Sequence, residues 1–176
     1  LRRFCQQHID GRSAIDATVL RCRVHRAGIV LDRQHAGPAV GQFRPQQVEF
    51  VDIDWGGRRV RIEHQWLGAR DAALPLIVFL HEGLGSLSMW KDFPKRLCAA
   101  ARCRGLVYSR PGYGRSTPRD AEEAWGVDFL HRQAHEVLPA LLAALGIDAR
   151  HHPPWLFGHS DGGSIALLYA ARHIDR

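Results

Sequence analysis

Pro154-Trp155-Leu156-Phe157-Gly158-His159-Ser160-Asp161-Gly162-Gly163 joins a short apolar run to a stretch rich in Ala and Leu, with a serine set between glycines. The spacing predicts a strand over Trp155-Leu156-Phe157 and a helix from Ser164 to Arg172. Between them Gly158-His159-Ser160-Asp161-Gly162 matches G-x-S-x-G. A serine on so sharp a strand-to-helix turn needs nearly absent side chains at 158 and 162, and its hydroxyl then stands clear of the sheet. It also lies near a helix N-terminus, where the Asp161 N–H is free to receive a developing oxyanion. Five-residue matches are common by chance, but a match in this strand-turn-helix context is not.

Working outward, Leu76-Ile77-Val78-Phe79-Leu80 is a continuous apolar run, as expected of a strand covered on both faces. Before it, Val48 to Ile53 and Arg59 to Trp66 each alternate apolar with polar. Asp54-Trp55-Gly56-Gly57 between them supplies the turn of a hairpin. After it, Met89, Trp90, Phe93, Leu97 and Ala100 recur at helical spacing, and Gly105 to Ser109 reads as another strand. Val127, Leu130, Ala134, Val137, Leu138, Leu141, Leu142 and Leu145 form one helical face ending at Gly146, with Pro139 bending that helix. Alternating strands and helices after a leading antiparallel hairpin predict an α/β fold, a mostly parallel sheet with helices on both faces. Residues 47–176 are read as this domain. Residues 1–46 lack a sustained period and are expected to be a basic, poorly ordered extension.

In such sheets working residues collect on loops beyond the C-terminal ends of the strands. His81-Glu82-Gly83-Leu84-Gly85-Ser86 follows the buried strand, its glycines allowing a sharp turn that exposes N–H groups. Arg110-Pro111-Gly112-Tyr113-Gly114-Arg115-Ser116 reads as a rigid turn without a catalytic group. Together with the serine turn, these loops resemble the α/β-hydrolase superfamily in order and spacing, over about Val48 to Arg176. The resemblance implies Ser160 as nucleophile and an oxyanion hole built from the backbone N–H groups of Gly83 and Asp161, with Leu84 the next candidate. Glu82 stands where that superfamily most often has glycine, so the loop is expected to differ in shape.

The same resemblance implies an Asp or Glu and then a His after the serine in chain order. Beyond Ser160 the sequence offers Asp161, His173, Asp175 and Arg176. His173 lies roughly 20 Å along the helix, out of reach of the Ser160 hydroxyl. Among earlier histidines, His81 is assigned to loop geometry and His159 is expected to point away from the serine. His131 and His135 have i, i+4 spacing without a clustered third ligand, and His151 and His152 sit in a loop. The chain therefore reads as the N-terminal portion of the fold, truncated after the nucleophile helix. The strand at 155–157 would then lack an outer neighbour, an edge that invites aggregation.

Composition bounds the alternatives. The net charge of +6 is concentrated in residues 1–46, which hold eight arginines and three aspartates, against sixteen basic and fifteen acidic side chains elsewhere. A nearly neutral body argues against nucleic acid. No apolar run is long enough to span a bilayer, and the start lacks signal-peptide character, so a cytoplasmic location is expected. Cys5, Cys22, Cys98 and Cys103 form no CxxC pair and read as buried or free thiols; 98 and 103 are not expected on one helix face. No phosphate-cradling or full dinucleotide motif occurs, so no cofactor and no metal are implied. The expected partner is a small-molecule ester or acyl substrate. The alternatives are an inactive fragment serving as a binding module, and a cofactor-free haloperoxidase or lyase.

Overall fold

The computed structural model describes residues 17–21, 47–69 and 73–173. Strands β1 (Ala17–Arg21), β2 (Val48–Trp55), β3 (Arg58–Leu67), β4 (Leu76–Leu80), β5 (Arg104–Tyr108) and β6 (Trp155–His159) form one sheet in the order β1-β6-β4-β5-β3-β2. The centre is parallel, β4 lying between β5 and β6, while β2 and β3 form the expected antiparallel hairpin and β3 joins β5 antiparallel. Gly56 and Gly57 make the hairpin turn at φ +62° and +73°, conformations that match the twist of the paired strands.

All five β4 residues are buried, as the continuous apolar run requires. Each such side chain removed from water contributes about 1.5–3 kcal/mol. Side chains alternate across the pleat, so Val78 and Leu80 pack on one face with Leu106, Leu138, Leu141 and Ile165, and Ile77 and Phe79 on the other with Val107 and Phe157. The first face carries α3 (Leu138–Ala144) and α4 (Asp161–His173); the second carries α1 (Phe93–Ala101), preceded by a short 3₁₀ turn at Leu87–Trp90.

Three readings are revised. The long helix expected through Pro139 is α2 (Phe129–Arg132), a π-helical turn (Gln133–Val137) and then α3, with Pro139 in the first turn of α3. A proline has no N–H and crowds the preceding turn; the wider π turn supplies the adjustment that a bend was expected to make. Val127 precedes that assembly and is fully exposed, so it is not part of the apolar face. Cys98 and Cys103 do come together: α1 ends at Arg102, whose φ of +50° reverses the chain and sets Cys103 Sγ 3.8 Å from the Cys98 carbonyl oxygen.

The extension read at residues 1–46 lies outside the described residues except for Ala17–Arg21. That segment pairs antiparallel with β6, from Ala17 opposite His159 to Arg21 opposite Trp155. The edge expected to stand open beside the serine turn is thus occupied by β1.

Candidate active site

The C-terminal ends of β4, β5 and β6 bring the three loops together. At the end of β6, Ser160 has φ +50°, a left-handed conformation that costs a side-chain-bearing residue about 1–2 kcal/mol. The turn persists because its neighbours leave no alternative. A Cβ on Gly158 would collide with the Gly162 backbone, and one on Gly162 with the carbonyl oxygens of Leu80 and His81. The two glycines therefore allow β6 to run directly into α4 against the end of β4. The result is a solvent-exposed Ser160 on top of buried backbone.

Asp161 opens α4, so its N–H has no partner within the helix. Its carboxylate leans across to the His81–Ser86 loop, where a Cβ on Gly83 would lie 2.7 Å from Asp161 Oδ2. Gly83 and Asp161 are thus brought into contact beside Ser160. Leu84 occupies the outer corner of a turn closed by the Gly85 N–H bond to the Glu82 carbonyl, and its side chain is 92% exposed. Glu82, the residue standing where glycine is usual, is half-exposed, with Oε2 4.0 Å from His159 Nδ1.

Beneath this surface lies a group that the pattern of residues left without a role. Arg110 is fully buried. Its backbone N–H donates to His81 Nε2 at 3.0 Å, and its Nη2 donates to the Glu82 carbonyl at 2.7 Å. Because Nε2 accepts, the His81 proton resides on Nδ1, which donates to the same Glu82 carbonyl at 2.7 Å. Burial, reinforced by the Arg110 charge, lowers the His81 pKa to about 3, so the ring is neutral at physiological pH. Burial also lowers the Arg110 pKa from its ordinary value. Arg110 forms no ion pair among the described residues, Nη1 lacks a hydrogen-bond partner there, and the guanidinium lies 4.8 Å from the Tyr113 ring centre.

The Arg110–Ser116 turn is anchored from below by Glu63 on β3. Glu63 accepts from Ser109 Oγ, the Arg115 N–H and Arg115 Nε, while its own N–H donates to Ser116 Oγ. Burial alone would raise this carboxyl's pKa; the hydrogen bonds from Arg115 and Ser109 outweigh that and hold it below the ordinary value. Ser109 Oγ also accepts from the Leu87 N–H, which links the first loop's exit to the same carboxylate.

Among the described residues none hydrogen-bonds the Ser160 hydroxyl. His173 Nδ1 is bonded to the Tyr169 carbonyl at the far end of α4. His151 pairs with Asp148, and the His131 and His135 rings lie 6.0 Å apart. No group of three potential metal ligands occurs among the described residues, and no described helix is long and apolar enough to cross a membrane.

A family profile described as alpha/beta hydrolase fold matches residues 75–176. No curated protein sequence matches the chain. Among solved structures, the chain is similar to a probable hydrolytic enzyme from Pseudomonas aeruginosa PAO1, at 23% identity and TM-score 0.59, over 77% of this chain and 41% of that one. A haloalkane dehalogenase from Bradyrhizobium elkani USDA94 matches at 22% identity and TM-score 0.56, over 73% of this chain and 38% of the other. An epoxide hydrolase from Vigna radiata matches at 18% identity and TM-score 0.51, over 72% and 37%. At these identities the likeness is one of fold, and the chain spans less than half the length of these three structures.

Proposed function

The chain belongs to the alpha/beta hydrolase fold family, and from that premise we propose that it carries the nucleophile half of a serine hydrolase. The substrate class proposed is a carboxylic ester or a related compound with a hydrolysable acyl or carbon–carbon bond. The observation that carries this reading is Ser160 itself, exposed at φ +50° between two glycines that tolerate no side chain. A turn held in that conformation by close backbone packing presents a hydroxyl for attack.

In the proposed reaction a base takes the Ser160 proton as Oγ attacks the substrate carbonyl, and the N–H groups of Asp161 and Gly83 receive the negative oxygen. The Leu84 N–H is the next candidate donor. The activity is proposed for the whole protein, with base and acid supplied from outside the described residues. A second reading, a binding module that keeps the carbonyl pocket without turnover, is favoured by the absence of a hydrogen-bond partner for Ser160 among the described residues.

A fluorophosphonate probe separates the two, because it reacts only with an activated serine. Labelling that disappears in Ser160→Ala is expected of the hydrolase; folded whole protein that resists the probe would leave the binding module. For residues 1–176 alone, p-nitrophenyl acetate turnover is expected to be no faster than in Ser160→Ala. Clear Ser160-dependent turnover with a near-neutral pH profile would instead place the base among the histidines described above.

A further inference from the structure

The Glu82 carbonyl is held from three sides, by Arg110 Nη2 and His81 Nδ1 at 2.7 Å each and by the Gly85 N–H at 3.1 Å. A trans peptide is planar, so its C=O and N–H point in opposite directions; the chain has no cis peptide here. Fixing the Glu82 carbonyl toward buried Arg110 therefore turns the Gly83 N–H outward, away from the core. That N–H has no hydrogen-bond partner among the described residues, and Gly83 lies against Asp161, the residue that follows Ser160.

We propose that Arg110 is a positioning residue of the oxyanion hole, gripping the Glu82 carbonyl so that the Gly83 N–H is aimed and polarised toward the oxygen bound above Ser160. The proposal rests on the reading of Ser160 as nucleophile. A charge-assisted bond to the carbonyl oxygen of an amide strengthens that amide's N–H as a donor, and the fully buried guanidinium keeps water from one side of this bond. Arg110 forms no ion pair among the described residues and Nη1 has no hydrogen-bond partner there, the Asp161 carboxylate acting on its charge only through space. Arg115, farther along the same turn, is by contrast neutralised by Glu63.

The test follows the Gly83 amide by NMR in the whole protein labelled with ¹⁵N-glycine, with phenylboronic acid as the probe, since boron bonded to Ser160 Oγ, the serine proton passing to the base, becomes a tetrahedral anion that mimics the oxyanion. In the native protein the Gly83 amide proton is expected to move downfield on titration, and Ser160→Ala to abolish the response. In Arg110→Ala the free protein's Gly83 amide should move upfield while distant Gly105 and Gly146 stay in place. Boronate affinity should fall at least ~10-fold, by analogy with the loss of an oxyanion donor, and methylguanidinium filling the vacated space should restore both signals. A purely structural Arg110 would lower stability without displacing the Gly83 amide in the folded protein, and that result would overturn the proposal. Should Arg110→Ala not fold, Arg110→Lys, which keeps the charge but not the fork, is expected to displace the same amide; an unmoved Gly83 resonance there would equally overturn it. If the native protein shows no Ser160-dependent boronate response, the nucleophile reading fails, and the Gly83 shift in the Arg110 variants still decides whether Arg110 orients the peptide.

Discussion

Ser160 is strained by its own position, and that strain is measurable. Replacing it with glycine removes the left-handed penalty at the cost of a more flexible unfolded chain, so Ser160→Gly is expected to stabilise the fold by about 0.5–1 kcal/mol. Ser160→Ala keeps the Cβ and should give no such gain; urea denaturation of the two variants checks the difference. Gly162→Ala is the opposite case, because its new methyl would meet the Leu80 carbonyl oxygen; it is expected to cost several kcal/mol, on the order of 3, or to prevent folding. His81 sets an acid limit. Its folded pKa of about 3 lies below the ordinary value of 6.5 because burial disfavours the charged ring. Below pH 6.5 the unfolded chain binds a proton that the folded chain refuses. Stability from this residue is therefore complete above pH 6.5 and falls as pH drops toward 3, by at most about 1.4 kcal/mol per unit. His81→Gln, followed by denaturation between about pH 7 and 4, is expected to flatten that limb.

At the scale of elements, one carboxylate joins β3, β5 and the Arg110–Ser116 turn. Glu63 is 5% exposed and each of its oxygens is engaged. Removing it leaves the Ser109 hydroxyl and the Arg115 N–H without their acceptor, so Glu63→Ala is expected to cost about 3 kcal/mol and to loosen the turn that carries Arg110. Glu63→Gln keeps one acceptor oxygen and should cost less. Because the folded pKa is held below 4.5, the carboxylate's contribution is present above that pH and is lost on further acidification. The gap between native and Glu63→Gln stability should therefore narrow as pH falls below 4.5, as read by denaturation midpoints. The neighbouring helices show where pattern reading stops. The apolar spacing from Leu130 to Leu145 identified the buried face correctly, because burial follows the helical period. It did not reveal the π turn, since one proline's missing N–H can be absorbed by a bend, a break or a widened turn, and packing against α4 and β2 accompanies the arrangement found.

Over the whole molecule, what was legible was local. The parallel centre, the hairpin and the serine turn each announce themselves within short stretches of chain, and Gly83 and Asp161 meet because the loops carrying them end adjacent parallel strands. Arg110 was not legible, since nothing in Arg110-Pro111-Gly112 says that its guanidinium is fully buried; only the meeting of β4 and β5 puts it under Glu82. β1 was obscured for a related reason: five residues without flanking pattern reveal no partner at the far end of the chain, such as Phe157 opposite Val19. Yet β1 covers the edge of the strand that carries Ser160, and an uncovered edge of that kind pairs with other chains. The double variant Val19→Pro, Leu20→Pro tests this. Successive N–H groups along a strand point to opposite sides, so one of the two prolines must remove a bond to β6. Hydrogen exchange is expected to accelerate at Trp155–His159, and sedimentation velocity to reveal concentration-dependent self-association. Unchanged exchange along β6, with no added association, would mean that β1 does not protect that edge.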